Sequence, residues 1–245
     1  MIRIEHLETF GWEAAIRGMR NPMNSWEKSD SFMCDVAHCN DSCEHRVGEG
    51  MICDNGNLPD GIQIGPNDLD LMKRLRKAGT DHRKFMRMIT VYVDITAPLY
   101  WWSEYDTYKI GTVANSCSTM HKIAAKEFTL EDFSCEHLMG DEAFAFPLGG
   151  GWRGLDALEV LKCTIEALNN ARKRYLTTKD KKYWWQMIQL LPNSYNQRRT
   201  VMLNYEVLAN IYKSRRDHKL DEWHAFCDWI QTLPYSELIV GKQTA

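Results

Sequence analysis

The segment from Met86 to Ile95 constrains the fold more than any other. Ile89, Val91, Val93 and Ile95 fall on one side of a two-residue period, and Met88, Thr90, Tyr92 and Asp94 on the other. That alternation predicts a strand with one buried face. Pro98 cannot extend a ladder, but its fixed φ suits the first turn of a helix. A helix is therefore expected from Leu99 to about Lys109, ended by Gly111, with a loop over Thr112 to Thr119. The run from Ile95 to Thr119 collects aromatics, a carboxylate, a lysine, hydroxyls and a thiol just beyond a strand. Binding sites are often placed there.

The flanking chain reads as α+β, with strands early and helices late. Met1 to Phe10 alternates weakly and predicts an edge strand, and Gly11 precedes a short helix over Trp12 to Met19. Asn67 is a candidate N-cap for a helix ending at Gly79, with Asp68 and Asp70 in its first turn. Thr129-Leu-Glu-Asp132 has the spacing of a capping box. Four late helices are expected: Leu155 to Tyr175, Lys181 to Leu190, Arg199 to about Arg215, and Lys219 to Thr232. Gly149 to Gly151 reads as a flexible turn, because a phosphate loop would need a preceding strand and a lysine. No second linker-bounded domain is visible, so 1–245 reads as one domain.

Residues 22–66 form an irregular, Cys-rich insertion within it. They hold Cys34, Cys39, Cys43 and Cys53, with His38 and His45 among them. Zinc could order such a segment, since thiolate and imidazole are its ligands. The spacing lacks a CxxC pair, and reduced loop thiols are the alternative. The net charge of −3 offers no bulk field for nucleic acid or membrane. With no long apolar run and no h-region at the start, the cytoplasm is the expected compartment.

Several side chains could carry chemistry. Glu104 can accept from a ligand N–H, and Lys109 can hold a phosphate. Thr112, Ser116, Ser118 and Thr119 supply hydroxyls. Cys117 is a candidate nucleophile if its surroundings favour the thiolate. Arg198, Arg199, Arg215 and Arg216 concentrate positive charge, and His82 is a candidate base or ligand contact. Singly, each reads as readily as a solvated side chain; the clustering between 95 and 119 is what points to an anion or nucleotide pocket. No Ser-His-Asp arrangement, dinucleotide fingerprint or HExxH motif is present.

The order of features resembles the flavin-dependent thymidylate synthase family from about Asp68 to Ile230. The strand ends in Ala97-Pro98, His82 stands at the spacing of the family's first histidine, and Leu191-Pro192 is present. Asn204 takes the place of the family's asparagine, and Arg215 follows where the nucleotide-binding arginine belongs. The signature itself is altered. Ser103-Glu104 stands for Arg-Gln, and Thr107-Tyr108-Lys109 for Arg-His-Arg. Thr112 and Cys117 replace two serines, Thr119 an arginine, and Ile188 the arginine before Leu-Pro. Met86-Arg87-Met88 stands for Phe-Glu-His.

The resemblance implies the family's fold, an antiparallel or mixed sheet with a helical C-terminal half. It also implies transfer of a folate-borne one-carbon unit to C5 of dUMP, with FAD as hydride carrier and NADPH as reductant. His82, Thr107, Tyr108 and Lys109 would then face the cofactor. Glu104, Thr112, Cys117, Thr119, Asn204 and Arg215 would face a pyrimidine nucleotide, and a homotetramer is expected. Glu104, an acceptor only, would favour an amino-bearing ring over uracil. Cys117 could attack C6. Three readings stay open: an active flavin enzyme, a fold relative that binds a nucleotide or another anion without redox chemistry, and a zinc-stabilised interaction protein.

Overall fold

The computed structural model describes residues 2–33, 62–141, 145–148 and 152–241. The elements run β1 (Arg3–Phe10), α1 (Trp12–Arg20), β2 (Phe32–Met33), β3 (Ile62–Gln63), α2 (Pro66–Ala78), β4 (Thr90–Pro98) and α3 (Leu99–Tyr105). They continue with β5 (Val113–Ser116), α4 (Thr119–Lys122), β6 (Phe146–Leu148), β7 (Trp152–Leu155), α5 (Ala157–Thr178) and α6 (Lys181–Leu190). The chain closes with β8 (Asn196–Asn204), α7 (Tyr205–Arg215), α8 (Asp221–Gln231) and α9 (Glu237–Val240). One sheet has four strands in the order β1-β4-β8-β5, and β2-β3 and β6-β7 are antiparallel ribbons. Two compact units are distinguished. One takes Met1–Arg3, Ile95–Thr107 and Asn115–Arg199; the other takes Ile4–Asp94, Tyr108–Ala114 and Thr200–Ala245.

The expected alternation in β4 holds: Val91, Val93 and Ile95 are buried and Tyr92 is exposed. Its start moves to Thr90, because Lys84–Arg87 forms a 3₁₀ turn that buries Phe85 and Met86. β1 lies at a sheet edge, as its weak pattern implies. The largest departure is β8, which occupies the start of the expected helix from Arg199. Val201 and Leu203 are fully buried and Thr200 is exposed, so the period there is two. The helix begins only at Tyr205, where the Asn204 side chain accepts from Val207 N at 3.0 Å. With the β6-β7 ribbon, this strand interrupts an otherwise helical C-terminal half. Thr112 to Thr119 is also not a plain loop, since β5 and the start of α4 lie in it. The helix after Pro98 stops at Tyr105 rather than Lys109.

In the second unit, Trp12 packs edge-on against Tyr205, with ring centroids 5.1 Å apart. Gly11 (φ +90°) enters α1 so close to the turn before β4 that an added Cβ would lie 2.1 Å from the Met88 carbonyl oxygen. Helix α2 starts at Pro66, not behind an Asn67 cap. Asp30 supplies the cap from outside the helix, accepting from Asn67 N at 2.9 Å and Asp68 N at 3.1 Å. Asp68 then turns inward rather than to solvent, where it ion-pairs with Arg20 and accepts from Ser29 and Ser31.

In the first unit, Ile123, Phe128, Phe133, Leu161, Ile165, Leu168 and Met187 form a hydrophobic core beneath α5 and α6. Asp156 and Glu159 make a reciprocal capping box at the start of α5. The Thr129–Asp132 box is present as expected, opening a 3₁₀ turn. Lys179 takes a left-handed conformation (φ 58°), and Asp180 caps α6 by accepting from Lys182 N at 3.0 Å. Trp101, Trp102 and Tyr105 of α3 are buried. Among the described residues, no helix is long and apolar enough to cross a membrane.

Candidate functional site

The first unit contains a cavity of about 520 Å³. β1, β4, α4 and the start of β8 all contribute to its wall. Arg3, Lys122, Lys126 and Arg198 bring four positive charges to it, against the carboxylates of Glu131 and Asp132. Lys126 is ion-paired with Asp132, and that hydrogen bond holds the ammonium pKa above its ordinary value. Tyr195 also lines the wall, its phenol pushed up by burial and next by the nearby Asp132 charge. A cavity with excess positive charge and part-buried walls favours an anion.

Two residues of its lining each carry a buried polar atom with no hydrogen-bond partner among the described residues: Thr96 Oγ1 and Asn196 Oδ1. Buried polar groups are nearly always paired, and both atoms are closed off from the open space of the cavity, so a partner would reach them only with a shift of the wall.

The wall beside Cys117 is fixed by Gln197. Its amide nitrogen donates to the Cys117 carbonyl (3.1 Å) and to Thr119 Oγ1 (3.0 Å). Its amide oxygen accepts from Arg199 Nε at 3.0 Å. Arginine only donates, so this bond sets the amide's orientation. The Arg199 guanidinium lies 4.2 Å from the Trp102 ring centroid and pairs with Asp106 at 2.7 Å. The Trp102 indole N–H donates in turn to the Gln197 carbonyl at 2.9 Å. The Cys117 amide donates to the Arg198 carbonyl at 3.0 Å. The exposed Cys117 thus sits on a backbone held from two sides.

Of the sequence-predicted residues, Cys117, Ser118, Thr119 and Arg198 line this cavity. Glu104 and Thr107 lie in the same unit but not in its lining. The Thr107 hydroxyl donates to the Glu104 carbonyl at 2.7 Å, closing α3. In the second unit, Tyr108, Thr112, Asn204 and Arg215 gather around one another. Arg215 Nε donates to the Tyr108 hydroxyl at 2.9 Å, and its guanidinium lies 4.7 Å from the Trp223 centroid. The Thr112 hydroxyl donates to the Tyr108 carbonyl, and Asn204 faces Gly111. His82 and Lys109 are exposed. Cys34, Cys39, Cys43 and Cys53 lie outside the described residues, as does Gly149–Gly151; among the described residues no cluster is arranged for a metal.

Sequence reasoning missed Arg3, Lys122, Lys126, Thr96, Asn196 and Gln197. It marked Arg198 and Arg199 for their charge but placed Arg199 at the start of a helix. Reading 196–203 at a period of two would have put those residues on a strand beside β4.

No family model matches the sequence, and no curated protein matches it. Solved structures do. The structure of thymidylate synthase X from Helicobacter pylori with FAD and dUMP superposes with a TM-score of 0.58 at 14% identity, covering 98% of this chain and 97% of that one. The fold is that of the flavin-dependent thymidylate synthases. A second structure of the H. pylori enzyme, also complexed with FAD and dUMP, gives 0.58 at 16% identity over 98% and 97%. The UMP/dUMP methylase PolB from Streptomyces cacaoi, bound with 5-Br dUMP, gives 0.54 at 13% identity over 97% and 94%. Identity this low carries the fold and not the side chains, so this chain's site rests on its own geometry.

Proposed function

We propose that this chain is a pyrimidine-nucleotide-modifying enzyme of the flavin-dependent thymidylate synthase fold, with the nucleotide seated in the cationic cavity of the first unit. The observation that carries this is the pairing of excess positive charge with two unpartnered polar atoms in the wall of one cavity. Arg3, Arg198 and Lys122 suit a phosphate, by point charge and by the arginine fork. Once the wall shifts, Thr96 Oγ1 and Asn196 Oδ1 suit a sugar hydroxyl or a ring N–H. The fold's neighbours bind dUMP or 5-Br dUMP, which supports the same ligand class here.

Cys117 supplies a thiol to that cavity. In the proposed chemistry its thiolate adds to C6 of the ring, the C5 carbanion so formed attacks an electrophilic one-carbon donor and displaces that donor's leaving group, and loss of the C5 proton expels the thiolate. Cys117→Ala should then abolish turnover while leaving nucleotide binding intact; unchanged turnover would remove the nucleophile.

The family's cofactor triplet falls at Thr107, Tyr108 and Lys109, and these residues do not fit a flavin phosphate. Thr107 closes α3, Tyr108 is bonded to Arg215, and of the three only Lys109 is cationic. That mismatch favours a second reading, nucleotide binding without flavin chemistry, and no step is derived through the cofactor.

Two measurements test these readings. A visible absorbance spectrum of the purified protein reports bound flavin: a yellow protein supports redox chemistry, a colourless one the second reading. Thermal unfolding with dUMP, dCMP and inorganic phosphate tests the cavity. A ligand at a hundredfold over its Kd stabilises by about 2.7 kcal/mol, a shift of about 5 to 10 °C in a chain of this size. Arg198→Ala should erase the shift. No shift with any nucleotide would defeat the proposal.

A further inference from the structure

The tip formed by the end of α5 and the start of α6 is unlike the rest of the surface. Between Arg172 and Lys182 there are six cations and one carboxylate, a local net of +5 within a chain of net −3. Arg172 is partly committed, donating to the Ala124 carbonyl at 3.0 Å, and Lys182 pairs with Asp180 at 3.0 Å. Lys173, Arg174, Lys179 and Lys181 are exposed.

Aromatic rings are interleaved with these charges. The Lys181 ammonium lies 5.9 Å from the Trp184 centroid and 5.8 Å from that of Trp185. Lys179 stands 5.9 Å from Tyr175, and Lys182 4.9 Å from Tyr183. Trp185 packs edge-on against Trp184, with ring centroids 4.8 Å apart, yet stays 42% exposed. Beside it opens a hollow of about 420 Å³ lined by His121, Tyr175, Lys179, Lys181 and Trp184. The Trp184 indole N–H is held by the Met120 carbonyl at 3.1 Å, so the ring wall of the hollow is fixed.

We propose that this tip binds single-stranded nucleic acid. A single strand presents phosphates and unstacked bases in alternation, and the tip presents ammonium groups and rings in alternation. A base entering the hollow would take the ring face, and the displaced ammonium would move to the adjacent phosphate. A duplex offers the phosphates but hides the bases. An acidic peptide offers carboxylates but no rings to stack.

The test is a titration of the full chain with a fluorescent oligothymidylate of about 15 nucleotides, read by anisotropy and by tryptophan quenching. Binding with quenching is expected, weakening about tenfold or more between about 50 and 200 mM salt. A duplex of equal length should bind at least about tenfold more weakly. Trp185→Ala should lose about tenfold in affinity, and Lys179→Ala with Lys181→Ala should flatten the salt dependence. The double lysine variant alters only exposed side chains, so it remains informative if Trp185→Ala is unstable by circular dichroism. Absence of binding overturns the proposal. Equal binding of duplex, polyglutamate or anionic vesicles, or binding unaffected by both variants, overturns it too.

Discussion

Arg20 and Asp68, 48 residues apart in sequence, meet at 2.6 Å with side chains 4% and 0% exposed. The second carboxylate oxygen accepts from the Ser29 and Ser31 hydroxyls at 2.7 and 2.6 Å, and from the Asp30 and Ser31 amides. Arg20 also donates to the carbonyls of Ser25 and Lys28. Burial alone would raise the Asp68 pKa, but the bonds from Ser31, Ser29 and Arg20 outweigh it and leave the pKa below the usual 3.8.

Removing one partner of such a pair leaves a buried charge uncompensated. Arg20→Ala should cost about 3 to 5 kcal/mol in urea unfolding. The sign of the pH effect follows from the depressed pKa. The Asp68 contribution is full above its unfolded pKa and is lost as pH falls through the folded one. Acid melts of the parent should therefore weaken below about pH 4, and Asp68→Asn should flatten that part of the curve.

Gln197 joins Cys117 and Thr119 to the Arg199–Trp102 stack. Gln197→Ala should leave β8 folded yet loosen the cavity wall. The nucleotide-induced thermal shift should fall by more than half, while the melting temperature without ligand changes by no more than about 4 °C. Arg199→Lys should give part of the same loss, since a lysine cannot reproduce the planar stack.

The Tyr105 hydroxyl is buried between Trp101 and Trp102 and has no hydrogen-bond partner among the described residues. Burial raises its pKa, with the Asp106 charge adding to the effect. Tyr105→Phe removes an unsatisfied group at nearly constant volume. It should be neutral or stabilising by about 1 kcal/mol in equilibrium unfolding.

Alkylation should separate the thiols. Cys117 and Cys163 are exposed, whereas Cys227 is 3% exposed and its pKa is pushed up to about 11 by burial. At neutral pH, peptide mapping should find Cys117 and Cys163 labelled well before Cys227, and Cys227 only on unfolding.

Much of this was legible in the sequence where one local signal dominated. β4 followed from alternation, and α6 came out at Lys181–Leu190 because Asp180 precedes it and Pro192 follows. β8 was hidden because its apolar pair, Val201 and Leu203, runs straight into the helical spacing of α7. Asn204 carried the missing cap signal. Cys117 and Thr119 could be singled out because their neighbours in sequence are polar. Arg3, Lys122 and Lys126 could not, because only tertiary structure brings three distant elements to one cavity. The net charge is silent in a similar way, since a chain-wide balance near zero does not reveal a basic tip.

The ribbon of β2 and β3 pairs Met33 with Ile62 and Phe32 with Gln63. Met33 and Ile62, which flank residues 34–61 in sequence, are thus held side by side as a narrow neck. Asp30, just before that neck, caps α2, just after it. Loop-closure entropy rises only slowly with length, so two ends pinned together in this way put only a weak limit on the number of residues that can be joined between them.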